Sequence, residues 1–292
     1  MSVTPLAPAA PRPLALPLPT PGWGAAAAVM ALDLARPFLP LPLPADVHVL
    51  GNLTTVVLRA GAHVVKVYPP GTDPSHLDRL ATAFAGSSTA HVPVHGAVAT
   101  PHGVVTVAPR LRRVAGVSWR RLGALLRDFH EHHAAADLPA WTPLSRLAPQ
   151  VVGLPDDAAA VLLRARDALL AALREVESEL GVGTIHGDVS PSNVLRTVRR
   201  PCLIDLDWAA AAPREYDLAS ASRRYRAGEI SPRAYAGFCR AYGYDVLGWP
   251  GLPVLDRVAD LGGVAFRLWD CRHHGRDLDW LPEELKVWST PL

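Results

Sequence analysis

The run Ile185-His186-Gly187-Asp188-Val189-Ser190-Pro191-Ser192-Asn193 sets an aspartate and an asparagine five residues apart, with a histidine just ahead and a proline between. Further on, the apolar pair Leu203-Ile204 runs into Asp205-Leu206-Asp207-Trp208. Carboxylates and an amide oxygen are hard donors, suited to Mg²⁺ on a nucleotide phosphate. An aspartate not committed to metal can accept the proton of an attacking hydroxyl. A third candidate is a lysine. Among 29 Lys and Arg residues only Lys66 and Lys286 are lysine. A compact ammonium on a flexible stem is chemically distinct from the planar fork used everywhere else, so Lys66 stands out as a choice.

Two textures of sequence must position these groups. From Val47 onward the chain reads as short β pieces. Thr55–Leu58 and His63–Tyr68 are strand candidates joined at Gly61, and alternation puts Lys66 on the same face as Val64. Asp73 or Ser75 can cap a helix over His76–Ala85. Val92–Val98 and Val104–Ala108 complete the expected antiparallel sheet. Beyond Pro109 the periodicity is helical: Trp119–His133, Asp156–Leu180 closing at Gly181, Pro213–Ala227, Ser231–Tyr242, Val254–Arg272 and Pro282–Trp288. Thr184-Ile185 and Pro201–Leu206 are the β segments of this half. The expected fold class is α+β: a small antiparallel β-rich N-terminal lobe and a mainly helical C-terminal lobe.

The pair HGDVSPSNVL and LIDLDW resembles the catalytic and metal loops of the aminoglycoside phosphotransferase and choline-kinase-like family, whose fold is protein-kinase-like. That resemblance implies an ATP-dependent kinase, with GTP as an alternative nucleotide, that phosphorylates a small-molecule hydroxyl with Mg²⁺. It casts Asp188 as the catalytic aspartate, Asn193 and Asp205 as metal ligands, and His186 as a brace for the loop. It places Lys66 on the nucleotide phosphates. Gly51, Asn52, Thr54 and Thr55 fall at its phosphate-covering loop, where an ordinary turn is the other reading. Ala108 and Arg110 fall at its adenine-pairing hinge. Asp217 would steady the loop region or simply start a helix, and Asp207 would support the metal loop. The family pairs its strand lysine with a small-lobe glutamate, yet none occurs between Lys66 and His130. Asp78 is the nearest substitute. A catalytically silent kinase-fold binding protein is the competing reading.

Composition excludes several other classes. Hydrophobic residues at 49% oppose wholesale disorder, and a net charge of +2 demands no nucleic-acid or membrane partner. Eleven of 29 prolines precede residue 45, so residues 1–22 read as a disordered Pro/Ala arm that cannot form a spanning helix. The remainder divides into a nucleotide lobe, 23–110, and a catalytic and substrate lobe, 111–292. Three scattered cysteines suit a reducing, cytoplasmic setting. His130-Glu131-His132-His133 and Cys271 with His273 and His274 lack the spacing of a closed zinc site. Acids outnumber bases in residues 251–292, which permits a cationic acceptor such as an aminoglycoside or amino alcohol. Trp269 and Asp270 are the expected contacts.

Overall fold

The computed structural model describes residues 15–113, 116–197 and 200–292. His48–Asn52 (β1), Val56–Ala60 (β2), His63–Tyr68 (β3), Val98–Thr100 (β4) and Gly103–Pro109 (β5) form an antiparallel sheet in the order β1-β2-β3-β5-β4. The β2–β3 hairpin turns at Gly61, whose φ of 60° suits a residue without Cβ. Period-two alternation then sorts the side chains. Val65, Val67, Val105 and Val107 face an apolar layer closed by Ala28, Ala31 and Leu32 of a helix, Ala25–Ala35 (α1). The opposite face carries Val64, Lys66, Thr106 and Ala108 toward the interlobe cleft. A second helix, Pro74–Ala83 (α2), begins at Asp73, whose carboxylate accepts from Ser75 N at 2.9 Å.

The C-terminal lobe packs Trp119–His132 (α3) against Pro232–Tyr242 (α7), joined in one core by Glu215–Arg226 (α6). A second core gathers Leu147–Val151 (α4), Asp156–Arg174 (α5), Leu252–His273 (α8) and Leu281–Trp288 (α9). Ser231 caps α7 by accepting from Ala234 N, with Pro232 at the first helical position. Short strands carry the loops of interest. Arg112–Arg113 (β6), Val194–Arg196 (β8) and Pro201–Leu203 (β9) pair as β6-β8-β9, while Val182–Ile185 (β7) pairs with Ala210–Pro213 (β10).

Three expectations need correction, and one helix was not expected. The strand expected over Val92–Val98 begins only at Val98; before it, residues 89–91 pair with β9 (Leu203 N donates to Thr89 O and His91 N to Leu203 O), and Val94 N donates to the Val107 carbonyl. The helix expected to reach Leu180 stops at Arg174. Its continuation is claimed by the buried Glu215 carboxylate, which accepts from Ser178 Oγ and Leu180 N. Helix α1 was not foreseen at all. Finally, residues 15–22 do not form a free arm. Leu16 is buried among Tyr68, Leu77 and Val104, its carbonyl accepts from Arg146, and the Pro19 carbonyl accepts from Trp269 Nε1. Residues 1–14 lie outside the described residues. No helix among the described residues is long and apolar enough to cross a membrane.

Candidate active site

The catalytic-type loop leaves β7 and returns through β8. His186 is fully buried, and its two ring nitrogens have divided tasks. Nε2 lies 2.9 Å from the Ile204 carbonyl, which only accepts, so Nε2 carries the proton. Nδ1 then accepts from Asp188 N at 3.2 Å. One imidazole thus ties the Asp188 loop to the strand leading into Asp205. Beneath it, buried Asp217 accepts from His186 N at 2.6 Å, Gly187 N at 2.9 Å and His130 Nε2 at 2.9 Å. His130 Nδ1 in turn accepts from the Tyr242 hydroxyl at 2.8 Å. Gly187 has φ 85°, and a Cβ there would lie 2.4 Å from the Trp208 carbonyl oxygen, so only glycine fits. Asp188 projects from this braced turn into solvent.

Asn193 Nδ2 donates to the Asp188 carbonyl and to Asp188 Oδ2, at 2.9 and 3.0 Å. Its amide oxygen therefore faces away from Asp188. Across the cleft, Lys66 Nζ lies 2.5 Å from Asp205 Oδ1 and 2.6 Å from Asp207 Oδ2. Asp205 sits in the left-handed region at φ 63° and ψ 54°, a cost of about 1–3 kcal/mol that the turn before Leu206–Trp208 must offset. Burial alone would lower the Lys66 pKa, but Asp207, Tyr68 and Asp205 reverse that and hold it well above the ordinary lysine value. For Asp205, burial works upward and is outweighed by Lys66, leaving the carboxyl below its usual range. An amide oxygen and a carboxylate, with phosphate oxygens and water completing the shell, fit Mg²⁺ chemistry. Among the described residues no group of three or more His, Cys, Asp or Glu is placed to hold a metal. Ser87, Asp128 and Asp217 draw the three histidines near residue 130 apart.

Two cavities flank these groups. One, of about 210 Å³, is lined by Val57, Val64, Leu77, Ile204 and Leu206 together with Lys66, Asp205 and Asp207. Thr55 and Ala108 also line it. Gly51 and Asn52 belong to β1, paired with Val57 and Val56, and Thr54 lies in the turn; none of the three lines the cavity. Arg110 N–H donates to the Ala62 carbonyl, and Arg110 does not line this cavity. The other cavity, of about 500 Å³, holds Asp188, Tyr216, Ser220, Arg223, Arg224 and Glu229. Burial, with the Asp217 and Asp188 carboxylates, pushes the Tyr216 phenol up to about 12.

Three more expectations fail here. Asp78 does not meet Lys66; its short side chain accepts from Ala97 N at 2.7 Å. Trp269 is buried against the N-terminal segment, and Asp270 is held by Arg276 and His274; neither lines either of the two cavities above. The C-terminal acids are internally paired as well: Asp256 and Asp260 with Arg223 and Arg226, and Glu283 with Lys286. Their excess is no measure of acceptor charge. Sequence reasoning also missed Tyr68, whose hydroxyl donates to Asp207 Oδ1 at 2.8 Å, although its i+2 spacing from Lys66 was visible. Arg146 was missed without any signal. It stacks over Trp208 at 4.2 Å, and burial, opposed by Asp207, lowers its pKa to about 10.

This two-lobed architecture with a lysine–aspartate contact across the cleft defines a kinase-like phosphotransferase fold. The chain belongs to the phosphotransferase enzyme family (APH), whose model matches residues 40–258. Among solved structures it resembles a choline/ethanolamine kinase family protein from Mesorhizobium loti (19% identity, TM-score 0.55, covering 88% of this chain and 99% of that one). It also resembles the amicoumacin kinase hAmiN, solved with AMP-PNP, Ca²⁺ and Ami (15%, 0.66, 88% and 90%). The choline kinase LicA from Streptococcus pneumoniae is a third (14%, 0.61, 89% and 97%). Among curated proteins, none matches.

Proposed function

We propose that this protein transfers the γ-phosphoryl group of ATP, or of GTP, to a hydroxyl of a small molecule. The observation that carries this reading is the pairing of Lys66 with Asp205 across the cleft, beside an Asp188–Asn193 loop that opens on a separate cavity. The nucleotide base would enter the apolar cavity against Val64, Ala108 and Leu206, with its phosphates toward Lys66. Asn193 and Asp205 would hold Mg²⁺, which supplies charge neutralisation on the phosphates when bound. The acceptor would lie in the larger cavity, with its hydroxyl at Asp188. The hydroxyl oxygen bonds to γ-phosphorus as the bond to the β–γ bridging oxygen breaks. The hydroxyl proton passes to Asp188, and the nucleoside diphosphate leaves.

Braced by His186 and Asp217, Asp188 needs little reorganisation, so positioning supplies most of the rate. The cavity mixes Arg223 and Arg224 with Asp188 and Glu229, so it suits a polar, polyhydroxyl or zwitterionic acceptor. A transfer screen with γ-labelled ATP and GTP tests the reading across aminoglycosides, amino alcohols, amino acids and sugars. Transfer to one class is expected. Nucleotide binding without transfer to any class would instead favour a silent binding protein.

A further inference from the structure

We propose that Asp207 is the positioning residue for Lys66, doing from the metal loop what an acid on α2 does not do in this chain. The inference rests on the reading of the cleft as a nucleotide site. Helix α2 carries one acid, Asp78, and that carboxylate is engaged by Ala97 N. Lys66 therefore takes both its carboxylate partners from one turn, Asp205 and Asp207.

The two partners are held differently. Asp205 is 39% exposed and holds Lys66 through Oδ1. Asp207 is 15% exposed and is fixed from three sides. Its Oδ2 accepts from Lys66, its Oδ1 accepts from the Tyr68 hydroxyl, and its carbonyl lies 3.2 Å from His76 Nε2 of α2. Lys66 and Tyr68 are two apart on β3, so they present donors to Asp207 from one face of that strand. A ligand that claims Asp205 leaves Lys66 anchored, because Asp207 keeps its grip. Displacing Asp207 would break the Tyr68 bond as well.

Helix α2 also enters this arrangement without an acid, through the His76 contact to the Asp207 backbone. The turn that sets Asp205 in its left-handed conformation thus also sets the lysine. Placement of the phosphate-binding cation and of the metal-loop carboxylate is then a single conformational property of residues 205–208.

The test is a double-mutant cycle on metal-free nucleotide binding, using a fluorescent ADP analogue in EDTA with wild type, Lys66→Ala, Asp207→Asn and the double variant. Asp207→Asn should weaken binding by roughly tenfold, the scale of a lost charge-assisted hydrogen bond. The double variant should bind no more weakly than Lys66→Ala alone, because the two residues act as a unit. Additive losses would overturn the proposal. So would wild-type affinity in Asp207→Asn without metal combined with a loss that appears only when Mg²⁺ is added, which would make Asp207 a metal ligand. If Asp207→Asn does not fold, Tyr68→Phe carries the test. It should weaken binding by roughly two- to tenfold, and an unchanged affinity would overturn the proposal. A wild-type protein that binds no nucleotide would remove the nucleotide reading itself, a result distinguishable because the parent fails.

Discussion

The cavity beside Lys66 and the cavity beside Asp188 are made of different material. The first is mostly aliphatic, contributed by β2, β3, β5 and α2 on one lobe and by Leu195 and residues 204–207 on the other, with Lys66, Asp205 and Asp207 in its wall. The second is lined from α6, the start of α8 and the catalytic-type loop, with charges of both signs along its wall. Period-two alternation builds the sheet side of the first, so that part of its lining follows from local sequence. The second depends on how distant helices meet and on which charges are already paired. Arg223, for example, is held by the Asp256 carbonyl and the Asp260 carboxylate. The sheet side of the first cavity is thus encoded locally, whereas the second is encoded by tertiary packing.

Substitutions on either side should separate the two. The largest effect belongs to Asp188→Asn, which removes the proposed proton acceptor but leaves the proposed nucleotide cavity intact. Transfer should fall by about 10³-fold while nucleotide Kd changes less than about twofold, compared by product release and fluorescent-nucleotide titration. Transfer at the wild-type rate would remove Asp188 from its role. Ala108→Phe should act in the opposite sense. Its ring would fill part of the small cavity and weaken nucleotide binding by roughly tenfold, the scale of a modest steric clash, with acceptor KM unaltered. A smaller effect is expected for Arg224→Ala. Its guanidinium is half-exposed and paired with Glu229, so acceptor KM should change by roughly two- to fivefold without altering nucleotide Kd.

What could be read from sequence follows the same division. The β2–β3 hairpin, the shared face of Val64 and Lys66, the Ser231 cap and the 186–208 motifs all rest on contacts within a few residues. Helix α1 escaped notice although alanine is a strong helix former, because Ala25–Ala35 is apolar on nearly every face, shows no 3.6-residue periodicity and has no capping side chain at Gly24. Its helicity is secured by packing on the sheet, with Ala28, Ala31 and Ala35 fully buried. The end of α5 escaped because Glu215, far along the chain, claims the backbone that would have extended it. The partner of Lys66 was sought on α2, where spacing offered Asp78. It lies instead 141 residues away, two positions past the expected metal ligand. No periodicity reports such a contact. The C-terminal acid excess misled for the same reason, since pairing is a property of the fold and not of the count.

The smallest effect is an absence of change, and it bears on which cavity governs pH dependence. The Lys66 pKa is raised on folding, so its stabilising contribution is complete below the ordinary lysine value and is lost as pH rises through the folded value. The Asp205 pKa is lowered, so its contribution is complete above the ordinary carboxylate value and is lost as pH falls through the folded value. Both losses fall outside about pH 5–9, since the ordinary values are near 4 and 10.4. The difference in urea midpoint between wild type and the variant Lys66→Met/Asp205→Asn/Asp207→Asn, which leaves no carboxylate there without its cation, should therefore be flat across that range. A slope inside it would mean that the pair titrates there and that the lysine end of the cleft, not the Asp188 end, carries a proton-linked step. A flat difference alongside a pH-dependent turnover would assign the titration to the Asp188 side or to the acceptor.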